Sequence, residues 1–170
     1  VTIWCSAAST GEEPYSIAMT LLETLGAKAS QAKVIATDID TDALAKARKG
    51  IYPQEQVRKL DEARVKRFFQ KGTGNHIGLA RVRPEVSALV EFMPLNLLAP
   101  QWPIKGPFDA IFCRNIMIYF DKETQAKILK RFAPLMKQDG LLFAGHSENF
   151  SYISDAFKLR GQTVYTLANK

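Results

Sequence analysis

The sequence predicts an α/β domain in which a mostly parallel sheet is closed by an antiparallel hairpin at its C-terminal end. Three observations carry this. The apolar, strand-like run over residues 1–5 passes through the single-glycine turn Ala8-Ser9-Thr10-Gly11 into a helix opening at Glu12-Glu13-Pro14. The same strand-to-helix order recurs at once over residues 33–37 and 41–49, and consecutive units of this kind imply parallel strands with right-handed crossovers. At the far end, residues 157–160 and 163–167 flank Gly161-Gln162 as the two arms of a hairpin do.

Each element follows from its residues. After Pro14, the side chains Ile17, Ala18, Leu21, Leu22 and Leu25 recur at helical spacing, and Gly26 supplies a C-terminal stop. The second strand is short and apolar and ends at Asp38; the helix that follows closes at Gly50. Residues 51–88 break the rhythm. They hold an amphipathic helix over 61–69, the turn Gly72-Thr73-Gly74, Gly78 and a β-like run over 79–83, which read as an insertion carrying a small β subdomain over 70–88. Residues 89–95 resume the main sheet and end at Asn96, after which Pro100, Pro103, Gly106 and Pro107 mark an irregular connection. Residues 108–113 form the next buried strand. Asp121 is a good N-cap for a helix whose apolar face is Ile128, Leu129, Phe132, Leu135 and Met136, shortened by Pro134. Residues 140–145 supply the fifth parallel-type strand before the hairpin.

At 170 residues the chain is sized for one domain with a full core. Its 46% hydrophobic and 24% charged residues match a soluble globular protein. No run nears the roughly 18 apolar residues of a membrane span, and no signal-peptide pattern is present. Cys5 and Cys113 sit at the ends of apolar strands and read as reduced core thiols. No metal-binding spacing occurs, so no metal is expected. The net charge of +6 is spread over short runs such as 46–49 and 64–67 and suggests an acidic partner surface. The first residue is a valine already inside a strand, so the chain is expected to be a fragment whose N-terminal part lies elsewhere; separately, a monomer is expected.

The opening loop narrows the ligand. A strand, a tight turn and a helix N-terminus make a nucleotide-type cradle. Yet one glycine replaces the spaced three of a pyrophosphate fingerprint, and Glu12 and Glu13 stand where phosphates would have to lie. Two acids disfavour a dinucleotide and favour S-adenosylmethionine, which pairs adenine and ribose with a sulfonium and an amino group. The plainer alternative is that the two glutamates only complement the dipole of the helix they open.

In open α/β sheets the ligand lies beyond the carboxyl ends of the strands. The residues at those ends are polar here: residues 9–13 after the first strand, Asp38 and Asp40 after the second, Asn96 after the third. Arg114 and Asn115 follow the fourth, and His146, Ser147 and Glu148 the fifth. Asp38 is placed to accept ribose hydroxyls; capping the next helix suits Asp40 or Thr41 better. Asn96, with the backbone of Leu97, either presents an amide to the adenine edge or stabilises its own loop. Arg114 leaves an apolar strand and needs a carboxylate, supplied by a structural acid or by an acidic substrate. Tyr119 either reaches the same mouth or packs under its loop. His146 lacks a neighbouring nucleophile motif, which excludes a hydrolase triad and leaves a histidine satisfied by loop backbone.

With these residues in place, the chain resembles the catalytic domain of the chemotaxis receptor protein-glutamate O-methyltransferases, the CheR family. The resemblance is carried by Ala7-Ala8-Ser9-Thr10-Gly11-Glu12-Glu13-Pro14-Tyr15-Ser16, Ala36-Thr37-Asp38-Ile39-Asp40-Thr41, Asn96-Leu97, Gly106-Pro107-Phe108-Asp109-Ala110-Ile111-Phe112-Cys113-Arg114-Asn115, Ile118-Tyr119-Phe120-Asp121 and Gly145-His146-Ser147-Glu148. It implies a Rossmann-like class I S-adenosylmethionine-dependent methyltransferase fold and methyl transfer to side-chain glutamates on the cytoplasmic helical bundle of chemoreceptors, with S-adenosylhomocysteine as product. Ala8, Ser9, Glu13, Asp38, Ile39, Asn96, Leu97, Arg114, Asn115 and Tyr119 would hold the cofactor, with Arg114 and Tyr119 nearest the chemistry. In some members the inserted β subdomain docks a receptor C-terminal peptide. Gly72, Gly74 and Arg81 match that pattern, and Lys71, counted with them in the docking surface, stands where close relatives carry arginine. The family's N-terminal helical domain is absent from this chain. The resemblance further implies a cytoplasmic protein with no nucleic-acid partner.

A glutamate carboxylate, with an ordinary pKa of about 4.3, is ionised at neutral pH and needs no general base to attack a methyl group. The absence of an obvious base is thus expected, and Arg114 is a candidate to orient the acceptor. Two alternatives stand beside this reading: a methyltransferase of a small molecule or nucleic acid, and a non-catalytic module that senses the cofactor. The loop Arg114-Asn115-Ile116-Met117 lacks the Asn-Pro-Pro-Tyr-like pattern of base-modifying amino methyltransferases.

Overall fold

The computed structural model describes residues 1–168, so positions 169–170 of the expected domain lie outside the described residues. The chain runs β1 (Thr2–Cys5), α1 (Glu12–Leu25), β2 (Lys33–Asp38), α2 (Thr41–Lys49), β3 (Ile51–Pro53), α3 (Gln54–Val57), α4 (Glu62–Phe68), β4 (Phe69–Lys71), β5 (Leu79–Val82), α5 (Pro84–Ser87), β6 (Val90–Pro94), β7 (Phe108–Cys113), α6 (Lys122–Phe132), β8 (Met136–Ala144), β9 (Phe157–Gly161) and β10 (Val164–Leu167).

The main sheet has the order β6-β2-β1-β7-β8-β10-β9. Its first five strands are parallel, and β10 enters antiparallel between β8 and β9. The order reverses at β1, whose neighbours β2 and β7 are each reached by a crossover; this is the switch point at which an open α/β sheet binds its ligand. Side chains alternate across the sheet. Trp4, Ile111 and Leu142 pack with Ile128, Leu129 and Phe132 of α6, whereas Cys5 and Ala36 pack with Leu44 of α2 and Ile17 of α1. One face is therefore covered by α6 and the other by α1 and α2.

Helix boundaries follow local chemistry. Asp40 caps α2 by accepting from the amides of Asp42 and Ala43 at 3.0 Å each, and Gly50 ends it in the left-handed region at φ 62°. Asp121 caps α6 through the Thr124 amide at 2.8 Å. That helix stops at Phe132 and tightens into a 3-10 turn over Ala133–Leu135 around Pro134.

The insertion is a three-stranded antiparallel sheet of order β3-β5-β4. It begins earlier than the expected range of 70–88, because Ile51–Pro53 pairs with Leu79, Ala80 and Arg81. Tyr52, Phe68, Phe69, Ala80 and Val82 bury its inner face against Tyr15 and Met19 of α1. Strand β8 also starts sooner than expected, since the polar stretch 137–139 carries no apolar signal, and its pairing with β7 shifts register between Phe108 and Ala110.

Candidate functional site

Threonine 37 organises the first loop from inside the sheet. Its hydroxyl accepts the Trp4 indole N–H at 3.0 Å and donates to the Ser6 carbonyl at 3.2 Å, while its carbonyl accepts the Ala8 amide at 2.8 Å. The loop leaving β1 is thereby fixed to β2. Ser9 and Gly11 both adopt positive φ, 51° and 99°. Gly11 is required, since a Cβ there would lie 2.8 Å from the Tyr52 hydroxyl and 2.9 Å from Ala47 Cβ. That same Tyr52 hydroxyl donates to the Thr10 carbonyl at 2.7 Å, tying the inserted sheet to the loop.

Asp38 ends β2 with both carboxylate oxygens engaged by backbone: Oδ2 accepts the Ser9 amide at 2.8 Å and Oδ1 the Asp40 amide at 2.9 Å. A carboxylate held this way keeps further lone pairs for hydroxyl donors. Asp38 lines a cavity of about 240 Å3 together with Ile39, Asn96, Leu97 and Tyr119, and with Ser6, Ala7, Leu95, Leu98, Ile116 and Phe120. The aliphatic walls suit a flat aromatic ring and the acid suits a diol. Asn96 stabilises its own loop, since its Oδ1 accepts the Leu98 amide at 2.9 Å, and it also lines the cavity. Tyr119 does not pack under its loop; it is 75% exposed at the rim, beside Ile39 at 65% and Leu98 at 56%.

The carboxylate that meets Arg114 is Glu13. Arg114 Nη1 lies 3.1 Å from Glu13 Oε2, and the Cys5 thiol donates to Glu13 Oε1 at 3.1 Å. Burial, reinforced by the neighbouring Glu13 charge, pushes the Cys5 thiol well above its ordinary value, which keeps the proton that makes this hydrogen bond. Glu12 behaves differently: it is exposed and, among the described residues, accepts a hydrogen bond only from the Thr10 hydroxyl two positions before it. Ala8 is buried under the loop, and Ser9 and Asn115 are exposed at its edge. These residues share the carboxyl end of the sheet with the cavity but do not line it.

Glu148 has a role that sequence reasoning left unassigned. Its residue is 8% exposed, and its carboxylate accepts three backbone amides: Asn115 at 2.8 Å, Met117 at 2.8 Å and Gly145 at 2.9 Å. It clips the loop after β8 to the loop after β7, where Asn115 takes a left-handed φ of 61°. An acid following a strand was the only signal available. His146, expected to be satisfied by loop backbone, is instead exposed and makes no hydrogen bond among the described residues.

A second cavity of about 230 Å3 lies on the outer face of the inserted sheet, lined by Lys71, Gly72 and Arg81 along with Ile51, Gln70 and Leu79. Gly72 has no room for a side chain, since a Cβ would run into the His76 carbonyl oxygen. Gly74, at φ 59°, shapes the same turn without lining the cavity.

A doubly wound sheet of this order, with a cavity at its switch point that carries one acid, Asp38, and with acids rather than phosphate-binding glycines in the first loop, has the Rossmann-like fold of S-adenosylmethionine-dependent methyltransferases. The fold likeness includes PKMT2 from Rickettsia typhi in complex with AdoHcy, with a TM-score of 0.51 and 15% identity over 85% of this chain and 20% of that one. The model of the family described as CheR methyltransferase, SAM binding domain, matches residues 1–166, and the chain belongs to that family. It is 61% identical over 166 residues to a chemotaxis protein methyltransferase of Escherichia coli (strain K12), covering 98% of this chain and 58% of the relative. It is also 61% identical over 169 residues to one from Klebsiella aerogenes, covering 99% and 58%. The chain thus spans 58% of the length of these relatives.

Proposed function

We propose that the protein containing this chain transfers a methyl group from S-adenosylmethionine to glutamate side-chain carboxylates of chemoreceptors, releasing S-adenosylhomocysteine and a glutamate methyl ester. The observation that carries this reading is the gathering of Asp38, Ile39, Asn96, Leu97 and Tyr119 around one cavity with the Glu13–Arg114 pair beside it. When bound, the cofactor supplies a methyl group activated by a sulfonium centre. Asp38 holds the ribose hydroxyls, Leu97 and Asn96 face the adenine, and Glu13 lies toward the positively charged methionine end. Ala8, Ser9 and Asn115 complete the surrounding backbone.

Arg114 and Tyr119 are the residues placed to meet the acceptor. The glutamate arrives already ionised, so the protein need only align it and replace the water around two opposite charges that cancel as the methyl moves. Arg114, 40% exposed along its side chain, has surface left to greet an incoming carboxylate while paired with Glu13. The acceptors belong to the cytoplasmic helical bundle of the receptors, and the protein acts in the cytoplasm as a monomer. Lys71, Gly72, Gly74 and Arg81 form the docking surface for a receptor C-terminal peptide on the inserted sheet.

The test is methyl transfer by the full-length protein from radiolabelled cofactor to receptor-containing membranes. Base-labile label on receptor glutamates is expected. Stable label on nucleic acid or a small molecule, or cofactor binding with no transfer, overturns it. In parallel, Asp38→Ala should weaken calorimetric binding of S-adenosylhomocysteine, and an unchanged affinity removes Asp38 from the ribose.

A further inference from the structure

We infer that Arg131 and Trp102 are positioning residues for the adenosine end of the site, acting through the 96–102 loop without touching the ligand. This rests on the cofactor reading above. The loop that presents Asn96, Leu97 and Leu98 to the cavity lies in an irregular connection between β6 and β7, so neither strand fixes it. Two side chains do so instead.

Arg131 projects from α6 and donates through Nη1 to the Leu97 carbonyl at 3.3 Å and the Ala99 carbonyl at 2.8 Å, and through Nη2 to the Pro100 carbonyl at 3.3 Å. Trp102 Nε1 donates to the same Leu97 carbonyl at 3.3 Å. The guanidinium lies 3.8 Å from the centroid of the Trp102 ring. That ring is in turn set against the core, 5.3 Å from Trp4 and 5.6 Å from Phe132 between centroids. Among the described residues no carboxylate lies within ion-pair range of Arg131. Its charge is spent on the carbonyls of this one loop.

Arginine suits the task because a planar fork stacks on an indole with its face while donating along its edge; lysine offers one point charge and cannot do both. With the Leu97 carbonyl held by two donors, the peptide that follows it is fixed. The Asn96 Oδ1 bond to the Leu98 amide and the Asn96 carbonyl bond to the Ala99 amide, both 2.9 Å, then set the remainder of the turn.

The experiment compares full-length wild-type protein with Arg131→Met, Arg131→Lys and Trp102→Phe, measuring affinity for S-adenosylhomocysteine and for 5′-methylthioadenosine, which shares only the adenosine half. Arg131→Met should weaken both by the same factor, about tenfold. The KM for S-adenosylmethionine should rise in step, while kcat at saturation stays within about twofold. Arg131→Lys should fall between, and Trp102→Phe, which keeps an aromatic face under the guanidinium but loses the Nε1 donor, should cost about threefold. A folded Arg131→Met protein with unchanged affinities overturns the inference, as does a loss confined to S-adenosylhomocysteine or a matching fall in kcat. If Arg131→Met does not fold, the other two variants decide by the same readouts. Wild-type protein that binds neither ligand defeats the cofactor reading itself, a separate outcome.

Discussion

Glu13 and Arg114 stand 101 positions apart in the chain and 3.1 Å apart in the fold, joined because β1 and β7 are neighbours. Glu13 is held from its other side by the Cys5 thiol, so its carboxylate is oriented before any ligand arrives. Glu13→Gln is expected to weaken S-adenosylhomocysteine binding, and Arg114→Ala to lower methyl transfer more than binding. Because the two side chains are 24% and 40% exposed, their coupling in a double-mutant cycle of unfolding should not exceed about 1 kcal/mol. Equal losses of binding and transfer in both single variants would show that the two residues have no division of labour.

Glu148→Ala removes the acceptor of three buried or partly buried amides at once. Leaving such donors unpaired costs about 1–3 kcal/mol each, so a loss of about 3 kcal/mol or more in chemical denaturation is expected. The loops after β7 and β8 should come apart locally, raising amide exchange at Asn115 and Met117. Stability within about 0.5 kcal/mol of wild type would mean that water replaces the carboxylate without cost.

Gly11→Ala forces a side chain into a left-handed backbone and against Tyr52 and Ala47. A destabilisation of about 1–3 kcal/mol is expected, with a disproportionate loss of cofactor affinity because the displaced loop carries Ser9. Gly26→Ala serves as the contrast: its φ is also positive, at 56°, but nothing lies within 4 Å of the added methyl. A calorimetric titration in which the two variants bind alike would separate the loop's shape from its function.

The two thiols set the alkaline limit of stability. Burial pushes both Cys5 and Cys113 well above the ordinary thiol value of about 8.5, so each stays protonated in the fold and ionises first in the unfolded chain. A group whose folded pKa is raised lends stability that is complete below its unfolded pKa and drains away as pH climbs above it. The denaturation midpoint should therefore hold up to about pH 8.5 and fall beyond it, less steeply in Cys113→Ala than in wild type. Iodoacetamide at pH 8 should label neither thiol until the protein unfolds; rapid labelling of the native state would contradict their burial.

What was legible in the sequence was what neighbouring residues announce. Asp40, Gly50 and Asp121 mark helix ends through their own side chains and backbone, and the helices begin and stop where those residues say. Asp38 and Asn96 were visible because a polar residue directly after an apolar strand points to the ligand edge of the sheet. Strand β3 was invisible, since three residues are too few for a period to register and its partner residues, Leu79 to Arg81, lie far along the chain. The pairing of Arg114 with Glu13 and the grip of Arg131 on the 96–102 loop were hidden for a related reason: each depends on how distant elements are juxtaposed, and no local pattern encodes that.

The bond from the Tyr52 hydroxyl to the Thr10 carbonyl bears on how this domain can be taken apart. The inserted sheet looks like a detachable accessory, yet Tyr52 is the wall against which the first loop is moulded, and Gly11 is shaped to its hydroxyl. Excising residues 51–82 to obtain a minimal scaffold would leave that loop without its mould. Grafting the insert onto another methyltransferase would succeed only where the host also offers a glycine at the facing position. Tyr52 and Gly11 have to be transplanted as a pair.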